Sequence, residues 1–421
     1  MAGFDPGILK HRRVPRFRPT EVTSTRGGEV PARDLGLRRR DIESIWNAVT
    51  GFYRMGLHPA MSLCIRYRGE VVLDRAIGHA RGNEPGALPN AQRILATPDT
   101  LFNFYSGSKS ITHLLTILLD EKGELSIDDR VADYFPEFAK HAKGQITLRH
   151  VLTHRAGVPV SPGTTLDPSI LKDSAAVSEA LVELRPQSSA GAQQAYHALT
   201  GGFILGEVLR RATGKSLPEL LDEHLRGPLG LSSFTYGVED PAAPHVAVDA
   251  FTGPDPLPPE AAAFHRAFGL SVQEIVDIAN DPRFRTAVVP SANIFSTADD
   301  VSRVFETLRC DGLHKGEQVL PRAAVRRARQ PSSGLQFDHM LLLPLRYSPA
   351  FMLGSKYFSL YGPGSADAFG HLGFTNVLGW ADPQREISVG FMNSGKPFLT
   401  VKLLAWLNIS RIITSVFPRL Y

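Results

Sequence analysis

The chain is poor in cysteine, with two in 421 residues, Cys64 and Cys310. They lie far apart and lack metal-ligand spacing, so neither a disulfide framework nor a zinc site is expected. No apolar run reaches the roughly 20 residues of a membrane-crossing helix. No apolar h-region follows the basic N-terminus, and the Arg12-Arg13 pair does not by itself make a twin-arginine signal. These absences give the expectation of a cytoplasmic protein. Charge of one sign is also scarce once its placement is considered. The net charge is +4, yet residues 1–40 hold ten Lys/Arg against four Asp/Glu, which leaves −2 for the rest. The surplus belongs to a basic arm, so no nucleic-acid groove is expected.

Three common catalytic signatures are missing as well. There is no Gly-x-Ser-x-Gly elbow and no glycine-rich phosphate loop between a strand and a helix. His150 and His154 stand four apart, but no glutamate follows the first as in a metalloprotease helix, so they are read as structural.

What is present is an ordinary globular composition, 43% apolar and 21% charged, in a chain long enough for a large core. Residues 61–78 predict two strands joined at Arg68-Gly69, and 367–393 holds three more short strand-like runs. Between them, 106–121, 175–185, 200–213 and 217–225 carry helical spacing. Strands at both ends with helices between predict an α/β (α+β) fold with a central, mostly antiparallel sheet and a mostly helical insertion. The expected organisation is a basic arm over 1–40, a sheet domain from 41–105 with 290–421, and an inserted domain over 106–289. The active site would lie at their interface. Residues 241–259 are proline-rich and are read as a surface loop. The stretch 398–417 predicts an amphipathic helix packed on the sheet, with contact to a membrane surface as the lesser reading.

The chemistry-bearing stretch is FYSGSKSITHLLTILLDEKG, residues 104–123. Serine and glycine before an apolar-periodic run make a normal helix start. The same residues place Lys109 one helical turn after Ser106, on one face. Free lysine titrates near ~10.4, so a lysine base at neutral pH needs burial or a neighbouring cation. The tetrapeptide alone is weak, because Ser169–Lys172 repeats it outside a long helix. Tyr196 precedes a glycine-opened helix, and with a lowered pKa it could share the base role; otherwise it is a core aromatic. His371-Leu372-Gly373 lies on a predicted strand with glycines on both sides, where a ligand or backbone can approach closely. There the Phe374 amide could complete an oxyanion hole and His371 could bind substrate or tune the lysine. The apolar, aromatic run 341–358 could line an acyl pocket or be ordinary core.

Ser-x-x-Lys, a tyrosine ninety residues on and His-x-Gly on a late strand, in that order, resemble the serine β-lactamase and penicillin-binding-protein superfamily. The esterase branch, the family VIII carboxylesterases and related lipases, is the most similar. The segments LLDEKGELSIDDRVADYFPEF (118–138), ITLRHVLTHRAGVP (146–159), PLGLSSFTYG (228–237) and PSANIFSTADDVSRVF (290–305) carry the same likeness. The resemblance implies Ser106 as acylated nucleophile and Lys109 with Tyr196 as base pair. It implies the Ser106 and Phe374 amides as oxyanion hole, with Gly373 beside them, and His371 in place of a lysine. No metal or organic cofactor is implied. The family's Tyr-x-Asn is here Tyr196-His197-Ala198, and alanine cannot hold a lactam amide, which points to small-molecule esters or lipids as substrates. A β-lactamase or D-alanyl peptidase, an acyltransferase and a non-catalytic scaffold are the alternatives.

Overall fold

A computed structural model describes residues 11–159, 168–357, 359–398 and 405–420. The elements that position the site are, in chain order, β1 (Thr23–Thr25), α1 (Arg39–Tyr53), β2 (Ala60–Tyr67), β3 (Glu70–Arg81), α2 (Gly107–Glu121), α3 (Thr200–Thr213), α4 (Pro258–Phe268), α5 (Val272–Asn280) and α6 (Ala298–Arg309). After them come β4 (Gln336–Asp338), β5 (Leu343–Tyr347), β6 (Met352–Leu353), β7 (Phe369–Leu372), β8 (Leu378–Asp382), β9 (Ile387–Asn393) and α7 (Ala405–Val416).

Alternation along the strands decides the layers, because successive side chains point to opposite faces. In β2, Met61, Leu63, Ile65 and Tyr67 join one core with α1 and α7, while Ala60 and Cys64 join the other. In β9, Ile387, Val389 and Phe391 take the first face; Ser388, Gly390 and Met392 take the second. Small residues on that second face let α6 lie close. A Cβ on Gly390 would collide with the Ala298 carbonyl, and one on Gly379 would meet Phe305 and Val301. Helix α6 offers Val301, Val304, Phe305 and Leu308, an i, i+3, i+4, i+7 stripe, and begins where the Thr297 hydroxyl accepts the Asp300 amide at 3.1 Å.

The result is one antiparallel sheet in the order β4-β5-β6-β7-β8-β9-β2-β3-β1, with Ile94–Leu95 paired to β3. The β2–β3 turn has positive φ at both Arg68 (55°) and Gly69 (90°), as a twisted two-residue hairpin requires. β9 pairs with β2, so N- and C-terminal strands share the sheet. Helices α2 and α3 belong to the long excursion between β3 and β4.

Within the basic arm, β1 is the edge strand beside β3, and Arg26 reaches Asp74 and Asp99, each at 2.6 Å. One sequence expectation needs correction. The 241–259 segment is not simply a loop. It contains the strand Ala250–Pro254, which pairs with Gly395–Pro397, and it runs into α4 at Pro258. Proline at the first helical position removes an amide that would have no partner anyway. At the C-terminus, α7 packs against α1 through buried Trp406, Ile409 and Ile413; residues 399–404 lie outside the described residues. Among the described residues no helix is long and apolar enough to cross a membrane.

Candidate active site

Ser106 occupies the N-cap position of α2, but its side chain caps nothing. Two neighbours explain why the hydroxyl is free for another task. Tyr105 before it has φ of 48°, a left-handed turn that swings the chain into the helix, and the Tyr105 amide is held by the Asn103 side chain at 2.9 Å. Gly107 after it leaves room for the Phe104 ring, which a Cβ would strike. The Ser106 hydroxyl faces Lys109 Nζ at 3.0 Å, and Ser106 and Tyr196 line the same cavity.

Lys109 is 1% exposed. Its amine donates to the Ser291 carbonyl at 3.0 Å, and no carboxylate pairs with it among the described residues. Burial alone pushes its pKa well below the ordinary lysine value. A neutral amine has two N–H donors and one lone pair. With one donor committed to Ser291, the lone pair is available to the serine. Ser291 was not singled out in the sequence, although it lies in the family-like run 290–305. Its hydroxyl ties the loop to α3 by donating to the Leu199 carbonyl at 3.0 Å and accepting the Gly202 amide at 3.1 Å. A Cβ on Gly202 would displace it.

Tyr196 is buried, and its ring lies under the lysine, with Nζ 4.9 Å from the centroid. Burial raises its pKa, the nearby Ser106 hydroxyl opposes the rise, and the Asp338 carboxylate adds to it. The shift is opposite to the one that shared base duty requires. A dry cavity favours the neutral form of both groups: amine for Lys109, phenol for Tyr196.

His371 is 2% exposed and lies behind Tyr196, with ring centroids 6.2 Å apart. Its Nδ1 sits 2.9 Å from the Leu372 carbonyl, which can only accept, so the proton is on Nδ1. Burial and nearby Lys109 push its pKa down to about 3. His113, His154 and His197 complete a layer of buried histidines with lowered pKa values beneath the site. His154 packs on Tyr196 at 4.7 Å and accepts the His197 amide at 3.2 Å, so it supports the Tyr196 ring, and no group of three potential metal ligands occurs among the described residues.

Strand β7 ends beside the serine. Gly373 packs so closely on the turn before Ser106 that a Cβ would lie 2.6 Å from the Phe104 carbonyl. The amides of Ser106 and Phe374 donate to no described group. Free N–H groups at a helix start and beside it form an electropositive niche.

Ser106, Tyr196, Gly373 and Phe374 open on one cavity of 420 Å³; Lys109 and His371 lie beneath it. Its walls are Phe264 and Phe268 of α4, residues 340–343 with Met352, and Leu372 with Phe398. From the 341–358 run, read as acyl-pocket wall or ordinary core, Leu341, Leu342, Leu343 and Met352 line the cavity. The α4 wall was not anticipated, although Phe264 and Phe268 have the i, i+4 spacing that could have shown it; Val272, the first residue of α5, adds to the same wall. Among the described residues, Glu260 is the one charged side chain in the lining, and no lysine or arginine contributes.

A nucleophile with a buried amine, set between a sheet and a helical insertion, defines a class: a serine hydrolase of the β-lactamase fold. The Beta-lactamase family profile matches residues 47–410, and the chain belongs to that family. It is 26% identical over 302 residues to "Esterase/beta-lactamase LipL" of Mycobacterium tuberculosis, covering 69% of this chain and 68% of that one. It is likewise 26% identical to "Esterase EstB" of Burkholderia gladioli over 66% of this chain and 70% of that one. Among solved structures, a penicillin-binding protein homolog from Caulobacter crescentus superposes with a TM-score of 0.75 at 26% identity, over 90% of this chain and 99% of that one. A family VIII carboxylesterase superposes at 0.73 with 25% identity, over 89% and 98%.

Proposed function

We propose that this protein hydrolyses carboxylic esters of small, apolar acyl or alkyl groups through an acyl-enzyme on Ser106. The observation that carries the reading is the apolar cavity over the Ser106–Lys109 pair, with no cationic side chain among the described residues of its lining. β-Lactams and D-alanyl peptides bring a carboxylate that needs a positive partner, and Glu260 would repel it. An uncharged ester meets no such penalty. Ala198 in place of a polar third residue supports the same choice.

In this mechanism Ser106 Oγ attacks the ester carbonyl and its proton passes to the Lys109 lone pair. The Ser106 and Phe374 amides take the developing oxyanion. Tyr196, as the neutral phenol, relays the proton to the departing alkoxide and is reprotonated from Lys109. Water then repeats the sequence and releases the acid. Neutral His371 holds its place against Leu372 and adds no charge that would compete with Lys109.

The test is hydrolysis of p-nitrophenyl butyrate by wild type and Ser106→Ala, with nitrocefin as a parallel substrate. The reading expects ester turnover that disappears in the folded variant, nitrocefin turnover far below it, and fluorophosphonate labelling mapped to Ser106. Equal ester activity in both proteins would give the nucleophile to another residue. Faster nitrocefin than ester turnover would move the substrate class to lactams.

A further inference from the structure

Asp338, the last residue of β4, is 0% exposed, and among the described residues no lysine or arginine pairs with it. An unpaired buried carboxylate is costly unless hydrogen bonds satisfy it. Its Oδ1 accepts three amides: Leu341 at 2.9 Å, Met340 at 3.0 Å and Tyr196 at 3.2 Å. Its Oδ2 faces the Tyr347 hydroxyl at 3.3 Å. The first two bonds are those of any aspartate closing its own turn. The third is not local, since Tyr196 is 142 residues away in sequence. A second cross-link runs parallel to it, from the His339 amide to the Gln194 carbonyl at 3.0 Å. The segment bearing Tyr196 is thereby docked on the β4–β5 hairpin, whose Met340 and Leu341 are walls of the cavity.

We propose that Asp338 is a positioning residue: its Oδ1 gathers the Tyr196 backbone and the acyl-cavity wall at a single point. The inference rests on the esterase reading of the site. One acceptor atom sets two distances at once, from the Tyr196 hydroxyl to Ser106 and from the wall to the bound chain. What matters is the location of Oδ1, not the charge it carries. Asparagine can present the same oxygen to the same three amides. Glutamate keeps the charge but moves its oxygens outward by one methylene.

The experiment compares Asp338→Asn, Asp338→Glu and Asp338→Ala as full-length chains with folding checked by circular dichroism. The readouts are kcat and KM for p-nitrophenyl butyrate and octanoate. Misplacing a reacting group by about 1 Å can cost about 100-fold in rate. The expectation is a loss of that order in kcat for the Glu and Ala variants, with an altered butyrate-to-octanoate KM ratio, and rescue to within a few-fold by Asn. If Ala does not fold, the Asn and Glu pair decides. An active Glu variant beside an impaired Asn variant would overturn the inference in favour of charge. Wild-type kcat and KM ratio in every variant would overturn it outright. Fluorophosphonate labelling separates the two layers. If wild-type Ser106 is not labelled, the site reading fails and takes this role with it. If it is labelled and the order of variants is reversed, the role of Asp338 alone fails.

Discussion

At the scale of the residue, the serine–lysine motif gains meaning from what surrounds it. The same spacing in Ser169–Lys172 lies in a turn, where Lys172 is exposed. Lys109 differs because α2 carries it into the core, where among the described residues the Ser106 hydroxyl and the Ser291 carbonyl meet it and no carboxylate does. The sign of the pH dependence follows. A lysine with lowered pKa loses its proton at a lower pH than a free one, so the amine required as base is present above that point and lost below it. The kcat/KM profile for an ester should rise with pH along one acid limb that belongs to Lys109. His371, already neutral above about 3, should not contribute a limb near neutrality. Lys109→Arg keeps a cation that does not deprotonate, and general-base catalysis is worth about 10²–10⁴ in rate. Its activity should fall within that range or below it at every pH, with the limb gone; a limb that survives would belong to another group. Tyr196 is where sequence reasoning stopped short. Its place in the motif order was legible, but the direction of its pKa depends on burial and on Asp338, which no local pattern reveals.

At the scale of the element, legibility follows the range of the forces involved. The β2–β3 hairpin was legible because Arg68-Gly69 sets a local turn, and α2 because Ile111, Leu114, Leu115 and Leu118 repeat within one helix. Helix α4 was hidden by the prolines that open it, since Pro258 and Pro259 signal a loop as readily as a first helical turn. The close contact of α6 with β9 is a property of pairs that sequence does not place together. Gly390 is the clearest case: within β9 it reads as a weak strand residue, and in the fold it is the only space for the Ala298 carbonyl. Gly390→Ala should force the helix off the sheet. Overpacking of this kind costs about 1–3 kcal/mol, and in a chain of this size each kcal/mol lowers Tm by about 1 °C. Thermal melts would show that loss. An unchanged Tm would mean that α6 yields freely.

At the scale of the whole molecule, the sheet and the excursion between β3 and β4 meet over one cavity, and each supplies what the other lacks. Strand β7 brings the Phe374 amide, while α2, α3 and the 290–293 loop bring Ser106 and fix Lys109. Helix α4 closes the far side with Phe264, whose ring stacks near Phe268 at 4.6 Å and Phe398 at 5.7 Å. In the proposed ester reaction, that aromatic wall would limit how far an acyl chain can extend from Ser106. Each methylene buried gains about 0.8 kcal/mol, or about fourfold in affinity, until the chain meets the wall. The kcat/KM series for p-nitrophenyl esters should therefore climb with chain length by a few-fold per methylene and then drop. Phe264→Ala removes side-chain volume from the wall and should move the drop to longer chains, with little change for acetate. Phe264→Trp should move it to shorter ones. Ser106 labelling by a fluorophosphonate should be equal in all three proteins, since the side chain touches the cavity and not the nucleophile's partners. A series whose maximum stays in place across the three would put the acyl chain against the 340–343 wall instead and leave α4 facing the departing alcohol.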